Sequence, residues 1–339
     1  MASKLATVLT KRKNNMFAIT HKKIFLTIAT AVMAVSILLV ATLGLNLGID
    51  FTGGSLTEVA YETAPEKVEV EEALAALELG GISVRESIDD VDREAYLIRT
   101  RDLTEPERES VQGVVVALGE GGEVTRFTSI GPVIGQELRD KAGWAIFGVV
   151  SIIVIYVAFA FSGIGKPVSS WAYGGITILV LIHDVIVPTA LMSVLGYLFG
   201  VEVDVLFVMA LLAVLGYSVN DTIVVFDRVR ENLVNNRTEH KKEIQEAGIV
   251  KEEVTYTLNK PYDEIVGSAV QETLARSINT SITTLVTLAA LFFLGGSVTQ
   301  TFALILFAGV LAGTYSSICI ASPLVVTYAN YKARKEVET

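Results

Sequence analysis

Three ionisable side chains lie inside long apolar runs, His183, Asp184 and Asp221, and a fourth, Arg276, stands at the head of another. An ionisable group at membrane depth costs about 2.5–3.5 kcal/mol on insertion scales, so its default reading is functional, with a partner to be named. Asp221 leads. In Gly216-Tyr-Ser-Val-Asn-Asp-Thr222, helical spacing puts Tyr217 and Ser218 on its side, four and three residues earlier. With Asn220 and Thr222 beside it, these make a small polar pocket of the kind that takes up and releases an ion. Asp227 is read as the inner end of this helix, which sets Asp221 about 9 Å deeper. The plain alternative is a helix-terminal acid satisfied by water.

Arg276 opens the next apolar run, and Thr280, Thr283, Thr284 and Thr287 continue its face at helical intervals. Such a face suits close helix contact over contact with lipid. If the two helices are neighbours, Arg276 reaches Asp221 and Thr280 joins the pocket; otherwise Arg276 snorkels to headgroups. His183 and Asp184 are consecutive, hence about 100° apart on a helix and not expected to form a same-face pair. Pro188 removes the hydrogen bond that the Asp184 carbonyl would accept, so a kinked, wet spot competes with an acid satisfied by a neighbouring helix.

Other chemistries are excluded by composition and motif. The chain carries 37 acids and 27 bases, a net charge of −10, which argues against nucleic-acid binding. Cys319 is the single cysteine and there are three histidines, so neither a disulfide nor a metal centre is expected, and no cofactor is. Gly163-Ile-Gly-Lys-Pro lacks the spacing of a phosphate loop, and HExxH, GxSxG and GxGxxG are missing. The chain reads as a non-enzyme. An intramembrane aspartyl protease built on Asp184 and Asp221 lacks the YD and GxGD signatures.

The elements that must hold these residues follow from hydropathy. Of 339 residues, 51% are hydrophobic and 19% charged, with a mean hydropathy of +0.53, too apolar for an ordinary soluble domain. A helix needs about 20 apolar residues to cross a bilayer. Six runs meet or approach that length, placing spans at 24–47, 142–165, 169–199, 205–227, 276–295 and 301–329. The first is read as a retained anchor, not a cleaved signal peptide. Lys11, Arg12, Lys13, Lys22 and Lys23 precede it, Lys166 follows the second, Arg228 to Lys260 separate the fourth and fifth, and Lys332, Arg334 and Lys335 follow the sixth. By the positive-inside rule, the N-terminus (1–23), the loop 228–275, read as carrying an amphipathic helix, and the C-terminus (330–339) are cytoplasmic.

Residues 48–141 hold 21 acids and 9 bases and face outward on this scheme. Strands are expected at 55–61, 82–88, 94–100 and 123–129, and helices at 66–79 and 108–118. The order β-α-β-β-α-β is the ferredoxin-like pattern. Thr63-Ala-Pro-Glu66 and Thr104-Glu-Pro-Glu107 each read as a capping box. The predicted fold is six transmembrane helices with an extracytoplasmic ferredoxin-like α+β domain between the first and second.

Five ordered motifs resemble the SecF family of protein-export membrane proteins. They are Gly48-Ile-Asp-Phe-Thr-Gly-Gly54 after the first span, Ile130-Gly-Pro-Val-Ile-Gly-Gln-Glu-Leu138 before the second, and Ile182-His-Asp-Val185 in the third. Gly216 through Arg228 in the fourth and Thr273 through Thr284 in the fifth complete the set. Gly48, Asp50, Phe51, Gly53, Gly54, Gly131, Pro132 and Gly135 carry the first two. The segment 235–263 is longer and more charged than the usual family connection. The resemblance implies half of a resistance-nodulation-division transporter that pairs with SecD beside the SecYEG channel, often with YajC, in a bacterial or archaeal plasma membrane. Such a pair draws unfolded chains outward, with proton or sodium motive force, after the SecA ATPase has pushed them. It implies that Asp221 carries the proton and Arg276 is its basic partner, with His183 and Asp184 in a relay. Beside an unfolded polypeptide and membrane lipid, no further ligand is implied. Competing readings are a proton-coupled half-transporter exporting lipid or small molecules, and a purely structural assembly factor.

Overall fold

The computed structural model describes residues 16–89, 91, 93–160, 167–246 and 249–338. Lys11, Arg12 and Lys13, and the Gly163-to-Lys166 segment, lie outside the described residues. The chain opens with a single turn, α1 (Phe17–Thr20), and a long helix, α2 (Lys22–Leu43), followed by the short α3 (Ile49–Thr52). Then come β1 (Gly54–Ala60), α4 (Lys67–Ala75), β2 (Ser83–Ile88), β3 (Glu94–Thr100), α5 (Glu105–Leu118) and β4 (Glu123–Ile130). The long helices α6 (Pro132–Ala160), α7 (Ser170–Phe199) and α8 (Val205–Asn235) lead to a hairpin, β5 (Arg237–Glu246) and β6 (Ile249–Leu258). The chain ends with α9 (Tyr262–Leu294), α10 (Ser297–Ser316), a five-residue π turn (Ser317–Ala321) and α11 (Ser322–Glu338). Among the described residues, six helical stretches are long and apolar enough to cross a membrane, the last running through the π turn.

The sheet between α2 and α6 has the strand order β2-β3-β1-β4, each neighbouring pair antiparallel. Strand alternation sends Val59, Val84, Tyr96 and Ile98 to one face, where Val70 and Leu74 of α4 and Val111 and Val115 of α5 close an apolar core. The opposite face carries Glu58, Arg85, Leu97 and Arg99, because Ser83 pairs with Arg99 and Glu58 with Leu97. Only one of the two expected capping boxes forms. At the head of α5, Glu107 accepts the Thr104 backbone N–H at 2.9 Å and its hydroxyl at 2.8 Å. Thr63 instead bridges Glu120 through the backbone, so α4 starts three residues later with Glu66 as its cap.

The expected loop 228–275 is corrected. The helix bearing Asp221 does not end at Asp227 but runs to Asn235, and its successor begins at Tyr262 instead of 276. Apolar residues keep their helical spacing past the bilayer-length runs: Phe226, Val229 and Leu233 pack with Ile265, Val266 and Ala269 in one buried cluster. Glu272 binds the Arg228 guanidinium and, at 3.1 Å, the Asn232 amide across the two helices. Between them lies a hairpin, with Arg237 opposite Leu258 and Glu246 opposite Ile249, and the amphipathic stretch within 228–275 is the first turns of α9, with Ile265, Val266, Ala269 and Val270 buried and Gln271 and Glu272 exposed. Thr238, Ile244, Val250, Val254, Thr255, Tyr256 and Thr257 are types that favour strands.

Candidate functional site

Three helices bring one polar cluster together inside the bundle. His183 and Asp184 come from α7, Ser218 and Asp221 from α8, and Ser316 and Ser317 from the end of α10 and the π turn; all six are buried. One Asp184 oxygen accepts the Ser316 hydroxyl at 2.6 Å and also the Ser218 hydroxyl. The other lies 2.9 Å from His183 Nδ1. Asp221 accepts the Ser317 hydroxyl. Donation from Nδ1 to Asp184 leaves His183 Nε2 as the acceptor nitrogen, buried and with no hydrogen-bond partner among the described residues.

Close approach of α10 to α8 makes this possible. Gly309 and Gly313 form a small-xxx-small pair, which lets helix backbones draw together. A Cβ at Gly309 would sit 2.1 Å from Val214 Cγ2, and one at Gly313 would sit 3.2 Å from Ser218 Cβ. Val214 and Ser218 are successive residues of one face of α8. The π turn directly follows Ser316; such turns insert one residue into the helical register and are frequent at functional sites.

Several sequence expectations change here. Ser218 serves Asp184 and not Asp221, and Tyr217 turns away to donate to Ser281 at 3.0 Å, which in turn lies 2.6 Å from the Thr314 hydroxyl. His183 and Asp184 do pair, because rotation about the side-chain torsions closes the 100° between consecutive positions. Although α8 and α9 are neighbours, Arg276 is exposed and makes no ion pair with Asp221. Its backbone carbonyl accepts the Thr280 hydroxyl at 2.9 Å, and both Thr280 and Asn220 are exposed. Thr222 is buried, its hydroxyl without a partner among the described residues. Sequence reasoning missed Ser316 and Ser317; the signal was the Gly309/Gly313 pair one to two turns before them.

A second constellation sits at the start of α8, about four turns before Asp221. Its first turn is held by two acids: Asp204 accepts Phe207 N–H at 2.8 Å and Asp50 accepts Val205 N–H at 2.9 Å. Burial pushes the Asp204 carboxyl up from its usual range, and the Asp50 charge beside it pushes the same way. Phe51 fills a buried cluster with Met192, Val203, Phe207, Leu211 and Ile305. Gly48 N–H donates to Val203 at 2.8 Å, and a Cβ there would meet that carbonyl at 3.0 Å. Gly53 and Gly54 hold φ of +74° and +127°, the left-handed half of backbone space that favours glycine. A Cβ on Gly53 would sit 2.7 Å from Pro132 Cα, and one on Gly135 2.7 Å from the Gly53 nitrogen. The incoming and outgoing legs of the sheet domain therefore touch backbone to backbone, while Gly131 links β4 to Pro132.

Residues 38–65 match the family model described as the SecD/SecF GG motif, and 111–258 and 248–331 match that of the protein export membrane protein SecD/SecF, C-terminal. A protein translocase subunit SecF from Thermobaculum terrenum is 36% identical over 85% of this chain and 86% of its own. The chain belongs to the SecD/SecF family. Within that family, SecF of Sebaldella termitidis is 33% identical over 92% of this chain and 91% of its own, and SecDF of Thermus thermophilus is 34% identical over 86% of this chain but 36% of its own. The crystal structure of a Thermus SecDF superposes with a TM-score of 0.73 at 32% identity, covering 92% of this chain and 38% of that one. The chain thus spans little more than a third of these SecDF relatives. The SecD/SecF GG motif contains Gly53 and Gly54, the two positions where the backbone turns left-handed against Pro132 and Thr100.

Proposed function

We propose that this chain is a SecF-like subunit of a SecDF complex, using proton or sodium motive force to promote late steps of protein translocation through SecYEG. The observation that carries the reading is the pair of buried carboxyls, Asp184 and Asp221, on adjacent helices, joined through consecutive serines with, among the described residues, no Lys or Arg bonded to either. A buried carboxylate without a cationic partner is costly, and taking up a proton or cation relieves that cost, which poises such an acid to bind an ion. One elementary charge crossing 100 mV releases about 2.3 kcal/mol, enough to bias a helix arrangement. In this reading Asp221 carries the proton and Asp184 with His183 passes it along, the vacant Nε2 being the receiving atom. Burial favours a neutral carboxyl and a guanidinium within about 4–6 Å a charged one, so approach of Arg276 from α9 expels the proton.

The same reading sets both termini and the hairpin in the cytoplasm and the sheet domain outside, and takes that domain as ferredoxin-like, which the strand order β2-β3-β1-β4 supports. Supporting the pairing with SecD, α2 and α6 bury few of their apolar residues within this chain, leaving Trp144, Phe147, Ile155 and Phe159 exposed. Those faces call for lipid or a sister subunit. The test is export into vesicles under an imposed gradient. Asp221→Asn and Asp184→Asn should each abolish gradient stimulation while leaving ATP-driven export intact; wild-type stimulation with Asp221→Asn overturns the reading. Copurification with lipid-export components in place of a translocon would support the lipid-exporter alternative.

A further inference from the structure

The sheet domain is joined covalently to α2 and α6, yet the acids sit on α7 and α8. Any movement of α8 must therefore reach the sheet through non-covalent contacts: Asp50 and Phe51 make them through α3, and one arginine makes an ion pair directly from an inner strand of the sheet. Arg99 lies on β3, an inner strand, on the sheet face turned away from α4 and α5. Its guanidinium donates to the Leu47 carbonyl at 3.0 Å, to Glu202 at 3.2 Å and to the Thr52 hydroxyl at 2.7 Å. One planar group thus ties β3 to the segment after α2, to α3, and to the turn that starts α8. A planar five-donor fork does this where an ammonium cannot. Arg99 and Glu202 are each about three-quarters buried, at 23% and 24% exposure, so water and salt screen the pair less than an open surface pair.

Glu202 stands two residues before Asp204, the cap of α8, and the intervening Val203 N–H donates to Asn46 at 2.7 Å. From Val205 to Asp221 the helix is continuous, about 24 Å at 1.5 Å per residue, so its outer end moves with the acid. A second arginine on the same face, Arg85, donates to the Gly200 carbonyl at 2.8 Å and so holds the end of α7; it also feels the Glu202 charge, but the close ion pair of Glu202 is with Arg99.

We propose that Arg99 is the positioning residue that transmits displacement of α8 to the sheet domain, with its ion pair to Glu202 as the transmitting contact. This rests on the ion-coupled reading above. The test uses the full chain with its partner subunit in oriented vesicles, measuring gradient-driven ion flux and polypeptide export separately. Arg99→Ala and the milder Glu202→Gln should leave flux within twofold of wild type and lower gradient-stimulated export at least tenfold. Arg99→Lys, which keeps the charge facing Glu202, should export at least threefold better than Arg99→Ala while both melt within a few degrees of wild type, a pattern that a side chain needed only for folding would not give. Wild-type export by Arg99→Ala, a parallel fall of flux and export in Glu202→Gln, or no gain of Arg99→Lys over Arg99→Ala would each overturn the proposal. Asp221→Asn in the same assay separates the two ideas: unchanged flux there removes the ion-coupled reading, whereas lost flux there with full export in Arg99→Ala removes only the role of Arg99.

Discussion

Ser316 and Ser317 are consecutive residues that serve different helices: Ser316 donates to Asp184 on α7 and Ser317 to Asp221 on α8. Two side chains one residue apart therefore bridge two carboxyls. Their removal should not be equivalent. Asp184 keeps Ser218 and His183 when Ser316 becomes Ala, whereas Asp221 loses its hydroxyl donor when Ser317 does. Leaving a buried acceptor unpaired costs about 1–3 kcal/mol. Ser317→Ala should lower thermal stability in detergent more than Ser316→Ala, and should lower gradient-stimulated export severalfold; equal effects on both measurements would contradict the assignment.

His183 offers a chemical separation between holding Asp184 and moving a proton. Asparagine places an amide N–H near the position of Nδ1 and nothing at Nε2. His183→Asn should therefore melt within a few degrees of wild type yet lose most gradient-driven export. Retention of export by His183→Asn would show that Nε2 is not required.

Gly309 should tolerate no side chain. A methyl there meets Val214 Cγ2 at 2.1 Å, and overpacking of this kind typically costs about 1–3 kcal/mol. Gly309→Ala should lower the melting temperature, and Val214→Ala in the same chain should return part of the loss. If the double variant melts no higher than Gly309→Ala, the two helices do not meet there.

Acid sensitivity should appear at the head of α5. The Arg101 guanidinium, and then the Thr104 backbone and hydroxyl, hold Glu107 at a pKa of about 2. A depressed carboxyl stabilises the fold above its unfolded value, about 4.3, and that contribution is lost as pH falls through the folded value. Amides of the first turn of α5 should exchange faster, relative to their intrinsic rates, as pH drops from about 4 to about 2. Glu107→Gln should flatten that dependence; an unchanged profile in the variant would place the titrating group elsewhere.

Much of this architecture was legible from pattern. Long apolar runs mark the spans, and the apolar, aromatic stretch in 94–100 reads as a strand whose bounds match β3. The Thr104–Glu107 box was readable because its partners are local. Thr63–Glu66 has the same residue types but fails, since the Thr63 backbone is taken by Glu120, distant in sequence. The polar cluster was half legible. His183, Asp184 and Asp221 stand out because charge is rare in apolar runs, whereas Ser316 and Ser317 do not, serine being cheap in a helix. Which acid Ser218 serves depends on how α7, α8 and α10 pack, and one-helix spacing carries no such information. The segment after α8 stood out only as long and charged, although its β-branched residues point to strands.

The contact of Gly53 with Pro132 and of Gly135 with Gly53 has a mechanical consequence. Both tethers of the sheet domain meet at one narrow neck with no side chain between the two backbones, so its two covalent joints form one hinge. A twist given to either tether turns both, and the head swings as one lever arm instead of stretching between two stalks.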